Sequence, residues 1–89
     1  MLTEIIPIIN KRGLHARAAA KFATLAAKFR CQTQARTNGN WVDAKSVMSL
    51  MLLAATQGTN LEVSTEGEDE VRAMEAIKAL INNRFEEDE

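Results

Sequence analysis

The only histidine of this 89-residue chain lies in the segment Gly13-Leu14-His15-Ala16-Arg17, between a glycine turn and a predicted helix start. The first N–H groups of a helix lack intrahelical partners, and the helix dipole places about half a positive charge there. That field disfavours an imidazolium, so we expect His15 to be largely neutral and nucleophilic. A phosphoryl group attached to His15 would be stabilised by the N–H groups of Ala16 and Arg17 and by the forked guanidinium of Arg17. The spacing therefore predicts a site that can accept phosphate.

Other chemistries for this histidine need partners that the sequence does not offer. A zinc site would need Cys31 and carboxylates at spacings typical of no known motif, and we expect no metal and no cofactor. A Ser-His-Asp arrangement built on Ser46 or Ser49 would also need an oxyanion hole and a substrate cleft. No glycine-rich phosphate loop is present. The simpler interpretation, in which His15 only caps the helix and Arg17 is a solvated surface residue, stays open at this point.

Hydrophobic periodicity predicts the elements that position His15. Strands are expected over residues 2–9, 32–36, 40–43 and 61–65. Asn38-Gly39 suits a type I′ hairpin turn between the second and third strands. A helix over residues 16–29 would bury one stripe, made of Ala19, Phe22, Ala23, Ala26 and Phe29.

Two further helices complete the pattern. Ser46 resembles an N-cap of a short helix from Val47 to Ala55 that ends at Gly58. A last helix follows residues 66–69 and would bury a stripe made of Val71, Met74, Ile77, Leu80 and Ile81. The order βαββαβα predicts an α+β domain over residues 1–89, with a four-stranded, mostly antiparallel sheet covered on one face by three helices. So small a domain has little room for a pocket, which favours function on its surface.

The composition is that of a globular domain, with 46% hydrophobic and 26% charged residues. The net charge of −1 hides an uneven distribution: residues 1–45 carry a net +6, and residues 46–89 a net −7. The total predicts no nucleic-acid binding, although the positive half could steer an acidic partner or a phosphate. The single cysteine, the lack of a signal peptide and the lack of a membrane span predict a cytoplasmic protein.

The short helix after Ser46 is apolar on nearly every side, so part of it is expected to be exposed beside His15. We predict a docking patch there that is ringed by basic side chains; its members are Val47, Met48, Met51, Lys21 and Lys45. The alternative is that the apolar members all belong to the core. Cys31 is expected to be a small buried hydrophobe, Trp41 to cover a sheet edge, and the acidic residues 86–89 to be a solvated, frayed end.

The chain resembles the HPr family of phosphocarriers along essentially its whole length. The segment Gly13-Leu14-His15-Ala16-Arg17, with Ala19-Ala20-Lys21-Phe22 after it, is similar to the family's active-site signature. Lys45-Ser46-Val47-Met48 resembles the segment of the family's regulatory serine, and Gly67-Glu68-Asp69-Glu70 the turn before its last helix. The resemblance implies an open-faced β-sandwich. It also implies that His15 is phosphorylated at Nδ1 and that Arg17 contacts the phosphate.

One position points to a branch of the family. HPr proteins of sugar transport usually have proline directly after the arginine, whereas this chain has Ala18. The run of alanines resembles the nitrogen-related branch, called NPr, which implies phosphate transfer from a nitrogen-type Enzyme I to a nitrogen-type Enzyme IIA, with a regulatory output. In some family members a serine kinase modifies the position of Ser46.

Two alternatives stay open beside this interpretation. One is an HPr of the sugar-transporting phosphotransferase system. The other is a regulatory docking module that is never phosphorylated. The protein is expected to be a monomer that carries phosphate rather than an enzyme that turns over substrate.

Overall fold

Four antiparallel strands form the sheet in the computed structural model, which describes residues 1–89. The strands are β1 (Leu2–Pro7), β2 (Gln32–Arg36), β3 (Val42–Asp43) and β4 (Asn60–Glu66), in the spatial order β1-β4-β2-β3. The central strand β4 pairs with β1, from Leu2 opposite Thr65 to Pro7 opposite Asn60. On its other side it pairs with β2. The first and last halves of the chain are thus joined by one ladder.

Three helices cover one face of this sheet. They are α1 (Ala16–Ala26), α2 (Val47–Met51) and α3 (Glu70–Asn82), and a three-residue 3-10 turn at Arg84–Glu86 follows α3. The observed order confirms the predicted βαββαβα arrangement and the α+β class. None of the helices is long and apolar enough to cross a bilayer.

The core lies between the helices and the inner face of the sheet. Helix α1 presents small side chains around the fully buried Phe22, so it can approach its neighbours closely. Residues Leu61 and Val63 of β4 are fully buried in the same core. The main inward residues of α3 are Ala73, Met74, Ile77 and Ile81. Val71, predicted to be part of this stripe, is instead 55% exposed.

Two helices end earlier than their periodicity predicted. Helix α1 ends at Ala26 rather than residue 29, and Phe29 lies half-buried in the turn that follows. Helix α2 ends at Met51, and Ala54 has a left-handed φ of 52°. The chain has therefore left the helix well before Gly58, so the predicted end of α2 at that glycine was wrong.

The turn between β2 and β3 also differs from the expected one. The register pairs Ala35 with Val42, which centres the hairpin on Asn38-Gly39. Neither residue has a positive φ, so the type I′ turn that was predicted does not form. The ladder has only two residue pairs and does not reach the turn, and β2 takes its register mainly from β4.

The loop before α3 is tied to the start of β2. Gly67 has a φ of +146°, and a Cβ at this position would lie 2.8 Å from Cys31 Cα. The Asp69 carboxylate accepts the backbone N–H groups of Arg30 and Cys31 at 2.8 and 2.9 Å. These two hydrogen bonds lower the pKa of Asp69, with the bond from Arg30 as the largest cause. Cys31 is buried, as predicted, and its burial raises the pKa of the thiol.

Candidate functional site

His15 is the N-cap of α1, with extended backbone angles (φ −77°, ψ −179°). Its Nδ1 accepts the backbone N–H of Arg17 at 3.3 Å, so one of the unpaired donors of the helix start points at this nitrogen. Because Nδ1 accepts a hydrogen bond, the ring proton lies on Nε2. The nitrogen with a free electron pair therefore faces the positive end of the helix dipole.

The loop before His15 is fixed by backbone contacts. Leu14 donates its N–H to Ala55 O at 2.8 Å, and its side chain is buried. Gly13 has a φ of +69° and lies against the backbone of Ala55 and Thr56, where a side chain would collide. The segment after α2 thus fixes the position of the loop that leads to His15.

Charged side chains of both signs line a cavity next to Arg17. Its volume is about 280 Å³, and its lining consists of Arg12, Arg17, Lys21 and the four acidic residues at the C-terminus. The Arg17 side chain is exposed and forms no ion pair within the chain. Lys21 donates to Phe85 O at 3.0 Å and pairs with Glu86 at 3.3 Å. Arg12 and Arg17 are thus the two basic groups of this cavity without an ion-pair partner, and Arg17 is the one whose backbone N–H contacts His15.

Of the four acidic residues at the end of the chain, Glu86, Asp88 and Glu89 are exposed as expected, but Glu87 lies against His15, which corrects the expectation of a frayed end at this residue. Phe85 is fully buried and anchors the segment. The Glu87 side chain is only 11% exposed. Its Oε2 accepts a hydrogen bond from His15 Nε2, and its Oε1 accepts one from Asn10 Nδ2 at 3.0 Å. Asn10 is itself fully buried and also donates to Gly13 O at 2.8 Å.

Glu87 is held in its ionised form. Burial on its own would raise the pKa of this carboxyl, but the hydrogen bonds from His15 and Asn10 and the nearby charges outweigh burial and lower the pKa. A full negative charge therefore lies next to Nε2 of His15, on the side of the ring away from the helix N-terminus.

The predicted docking residues have different environments. Met48 and Met51 are 76% and 44% exposed, and the neighbouring Leu52, which the sequence analysis did not single out, is 81% exposed. Val47 packs partly against the core. The Lys45 ammonium donates to Phe29 O at 2.8 Å, so it closes the turn after α1. Three apolar side chains of one short segment thus face solvent; their docking role stays a prediction.

Ser46 caps α2, as its position predicted. Its Oγ accepts the N–H of Ser49 at 3.3 Å, and the side chain is half-buried. No group of three or more His, Cys, Asp or Glu side chains is arranged to hold a metal ion. The chemistry of the site therefore depends on one histidine, its helix N-terminus and the charged side chains around it.

Comparison with known proteins agrees with this geometry. A family model described as "PTS HPr component phosphorylation site" matches residues 2–83. The phosphocarrier protein HPr of Pseudomonas aeruginosa is 55% identical over 85 residues, which cover 94% of each chain. The HPr of Cupriavidus necator is 52% identical over the full length of both chains.

The chain belongs to the HPr family.

The solved structures give the same result for the fold. HPr from Thermoanaerobacter tengcongensis superposes with a TM-score of 0.95 at 42% identity and covers both chains completely. HPr from Bacillus anthracis superposes with a TM-score of 0.86 at 35% identity, over 90% of this chain and 95% of that one. The HPr-like fold is thereby confirmed, and the protein is a phosphocarrier of the phosphotransferase system rather than a turnover enzyme.

Sequence reasoning singled out His15 and Arg17, which the structure brings together, but did not single out Glu87, which contacts His15, or Asn10, which holds Glu87. Asn10 was assigned to a loop, and Glu87 to a frayed end. The one available signal was Phe85, a large apolar residue directly before the acidic run. A phenylalanine so close to the end of a helix indicates a segment that returns to the core.

Proposed function

We propose that His15 accepts a phosphoryl group on Nδ1 from a nitrogen-type Enzyme I and passes it to a histidine of a nitrogen-type Enzyme IIA. The observation that carries this proposal is the orientation of His15 at the N-terminus of α1. Its Nδ1 is a hydrogen-bond acceptor and lies 3.3 Å from the N–H of Arg17. An unprotonated nitrogen at the positive end of a helix is both a nucleophile and a place where a dianion is stabilised.

The transfer step follows from these contacts. The Nδ1 electron pair forms the new N–P bond while the P–N bond to the donor's histidine breaks, and its electron pair returns to the donor nitrogen. The phosphoryl oxygens replace Nδ1 as acceptors of the Arg17 N–H, and the Ala16 N–H and the Arg17 guanidinium provide further donors. Since the dipole contributes only about 0.3–2 kcal/mol, the group is stabilised without being trapped.

The experiment is phosphorylation with phosphoenolpyruvate and purified nitrogen-type Enzyme I, followed by intact mass. The expected result is a gain of one phosphate that is lost in acid and is absent from His15→Ala. Equilibrium unfolding of His15→Ala serves as the control for its fold. An acid-labile phosphate that persists on His15→Ala would assign the acceptor role to another residue. No gain with either type of Enzyme I would favour the docking-module alternative.

Ala18 supports the assignment to the nitrogen-related branch. It is the third residue of α1 and is fully buried. Sugar-type carriers usually have proline at this position. Parallel incubation with sugar-type and nitrogen-type Enzyme I, at equal concentrations, compares the two branches. Faster phosphorylation by the nitrogen-type enzyme is expected; the opposite order would favour the sugar-type alternative.

The exposed side chains of Met48, Met51 and Leu52 support a docking role beside the phosphorylation site. Methionine adapts to different partner surfaces, which suits a carrier that must dock on a donor and then on an acceptor. Lys21 stands at the edge of the cavity near His15 and would attract an acidic partner. Complexes formed through such a patch are expected to be small and transient.

Ser46 and the oligomeric state complete the proposal. Ser46 is half-buried at the start of α2, and phosphorylation there by a serine kinase would place about two negative charges beside the docking residues. The carrier is proposed to act as a monomer in the cytoplasm. Solved relatives include an HPr dimer from Thermoanaerobacter tengcongensis, 42% identical with a TM-score of 0.78, so size-exclusion chromatography with light scattering is the matching test.

A further inference from the structure

The backbone immediately before Glu87 adopts an unusual conformation. Arg84, Phe85 and Glu86 have φ values of 56°, 53° and 65°, so three successive residues other than glycine are left-handed. Each such residue costs about 1–2 kcal/mol. A segment that tolerates this cost must be held by its surroundings.

Contacts on both sides of the turn hold it in place. Phe85 is fully buried, and its carbonyl accepts Lys21 Nζ at 3.0 Å. Arg84 Nη1 donates to Asp88 O at 2.7 Å, and Lys11 donates its backbone N–H to Glu89 O. The consequence of this conformation is that the Glu87 carboxylate lies on His15 Nε2.

His15 is therefore bonded at both ring nitrogens. The Arg17 N–H donates to Nδ1, and the Glu87 carboxylate accepts from Nε2. These two bonds are compatible with only one neutral tautomer, the one with its proton on Nε2. They also fix the rotation of the ring, because both nitrogens must meet their partners at the same time.

We propose that Glu87 is a positioning residue for phosphoryl transfer, because it holds the proton on Nε2 and leaves the electron pair of Nδ1 free to attack phosphorus. This inference rests on the proposed role of His15 as the acceptor. When Nδ1 forms the N–P bond, the ring gains a positive charge while its proton stays on Nε2. The carboxylate of Glu87 stabilises that charge, as a buried aspartate does for the imidazolium of a catalytic triad.

Glutamine cannot replace Glu87 in both of its contacts. The two carboxylate oxygens of Glu87 accept one donor each, from Asn10 and from His15. A glutamine side chain has one acceptor oxygen and one NH2 group, so one of the two donors would meet another donor. Glu87→Gln therefore keeps the volume of the side chain but loses one contact and the charge.

Another acidic residue of the same segment provides a matched control. Glu89 pairs with Lys11 at 3.4 Å, and both side chains are largely exposed. Glu89→Gln removes the same charge with the same change of shape, yet leaves the imidazole contacts intact. Comparison of the two variants distinguishes an effect of the Glu87 carboxylate at its own position from an effect of the total charge of residues 86–89.

The experiment has two readouts. The first is the ¹⁵N spectrum of the His15 ring in unphosphorylated protein, which reports the tautomer. The second is the initial rate of phosphate acceptance from phosphoenolpyruvate and Enzyme I, measured across pH. Glu87→Ala and Glu87→Gln are expected to populate the Nδ1–H tautomer and to slow acceptance about 10- to 100-fold, the range typical for loss of a group that orients a metal-binding histidine. Glu89→Gln should keep the wild-type tautomer, and any change that it causes in the rate measures the effect of losing one charge from residues 86–89.

The outcomes distinguish the two proposals. An unchanged tautomer and an unchanged rate in both Glu87 variants, each shown to be folded by equilibrium unfolding, would overturn the positioning role. A wild-type chain that accepts no phosphate, with the tautomer nevertheless shifted in Glu87→Ala, would overturn the phosphorylation of His15 while leaving the contact established. A slow rate with an unchanged tautomer would also count against the proposed mechanism.

Discussion

Gly13 offers a direct test of how the loop before His15 is held. An added Cβ at this position would lie 2.5 Å from Ala55 O and 2.9 Å from Thr56 Cα. The same Ala55 carbonyl accepts the N–H of Leu14 at 2.8 Å. Gly13→Ala can therefore relieve the collision only by moving the acceptor that fixes the loop.

Four contributions set the size of the effect. A left-handed alanine costs about 1–2 kcal/mol, and the lower entropy of the unfolded chain returns about 0.4–1 kcal/mol. Overpacking against backbone costs about 1–3 kcal/mol, and a weakened hydrogen bond about 0.5–1.5 kcal/mol. We expect Gly13→Ala to lower the free energy of unfolding by about 2–6 kcal/mol, from a total of about 4–13 kcal/mol for a chain of this length.

Two other glycines provide the controls. Gly58 has a φ of +91° with nothing within 4 Å of the added Cβ, so Gly58→Ala measures the backbone conformation alone and should cost about 1 kcal/mol or less. Gly39 is in open space without a positive φ, and Gly39→Ala should be neutral or slightly stabilising. The assay is equilibrium unfolding in urea. Equal losses for Gly13→Ala and Gly58→Ala would refute the role assigned to the Ala55 contact.

The other predictions concern Ser46 and Asp69. Ser46→Ala removes the N-cap of α2 and is expected to lower the free energy of unfolding in urea by about 0.5–1 kcal/mol. Ser46→Asp keeps the cap and should instead weaken binding to Enzyme I, measured by titration calorimetry. Equal binding of both variants would contradict the proposed effect of charge. The lowered pKa of Asp69 means that its contribution to stability is present above its ordinary value near 3.8 and is lost as the pH falls through its folded value. Asp69→Asn should therefore be less stable than the wild type near neutral pH, and this difference in unfolding free energy should shrink in acid. A difference independent of pH would show that the two hydrogen bonds from the backbone N–H groups do not depend on the charge of Asp69.

Elements whose signals are local could be predicted from the sequence, and those whose geometry depends on distant contacts could not. Helix α1 combines an alanine-rich sequence with a regular apolar period, so its start and its buried face were predictable. The end of α2 was not predictable, because the left-handed residue that follows the helix is Ala54, and no glycine marks this position. The turn at Asn38-Gly39 has the composition of a type I′ hairpin, but β4 sets the register of β2, and only two pairs join β2 to β3.

The same distinction separates the two halves of the candidate site. His15 and Arg17 are two residues apart, so the bond between Nδ1 and the Arg17 N–H follows from the geometry of a helix start. Glu87 lies 72 residues from His15 and reaches it through a left-handed turn that is held by the burial of Phe85 and by the hydrogen bonds around it. No local propensity predicts three left-handed residues at Arg84, Phe85 and Glu86.

The two partners of His15 act on different charges that appear in the same step. In the proposed transfer, a dianion arises beside Nδ1, where the N-terminus of α1 would stabilise it, and a positive charge arises on the ring, where Glu87 would stabilise it. The two contributions come from opposite sides of the imidazole, so the carboxylate can act without lying next to the phosphate. Since the Arg17 guanidinium is exposed, the stabilisation of the dianion is moderated by water and salt, whereas the Glu87 side chain is only 11% exposed and its contribution is screened less. The phosphoryl group can then pass to an acceptor, because the ring leaves as neutral imidazole with its proton still on Nε2.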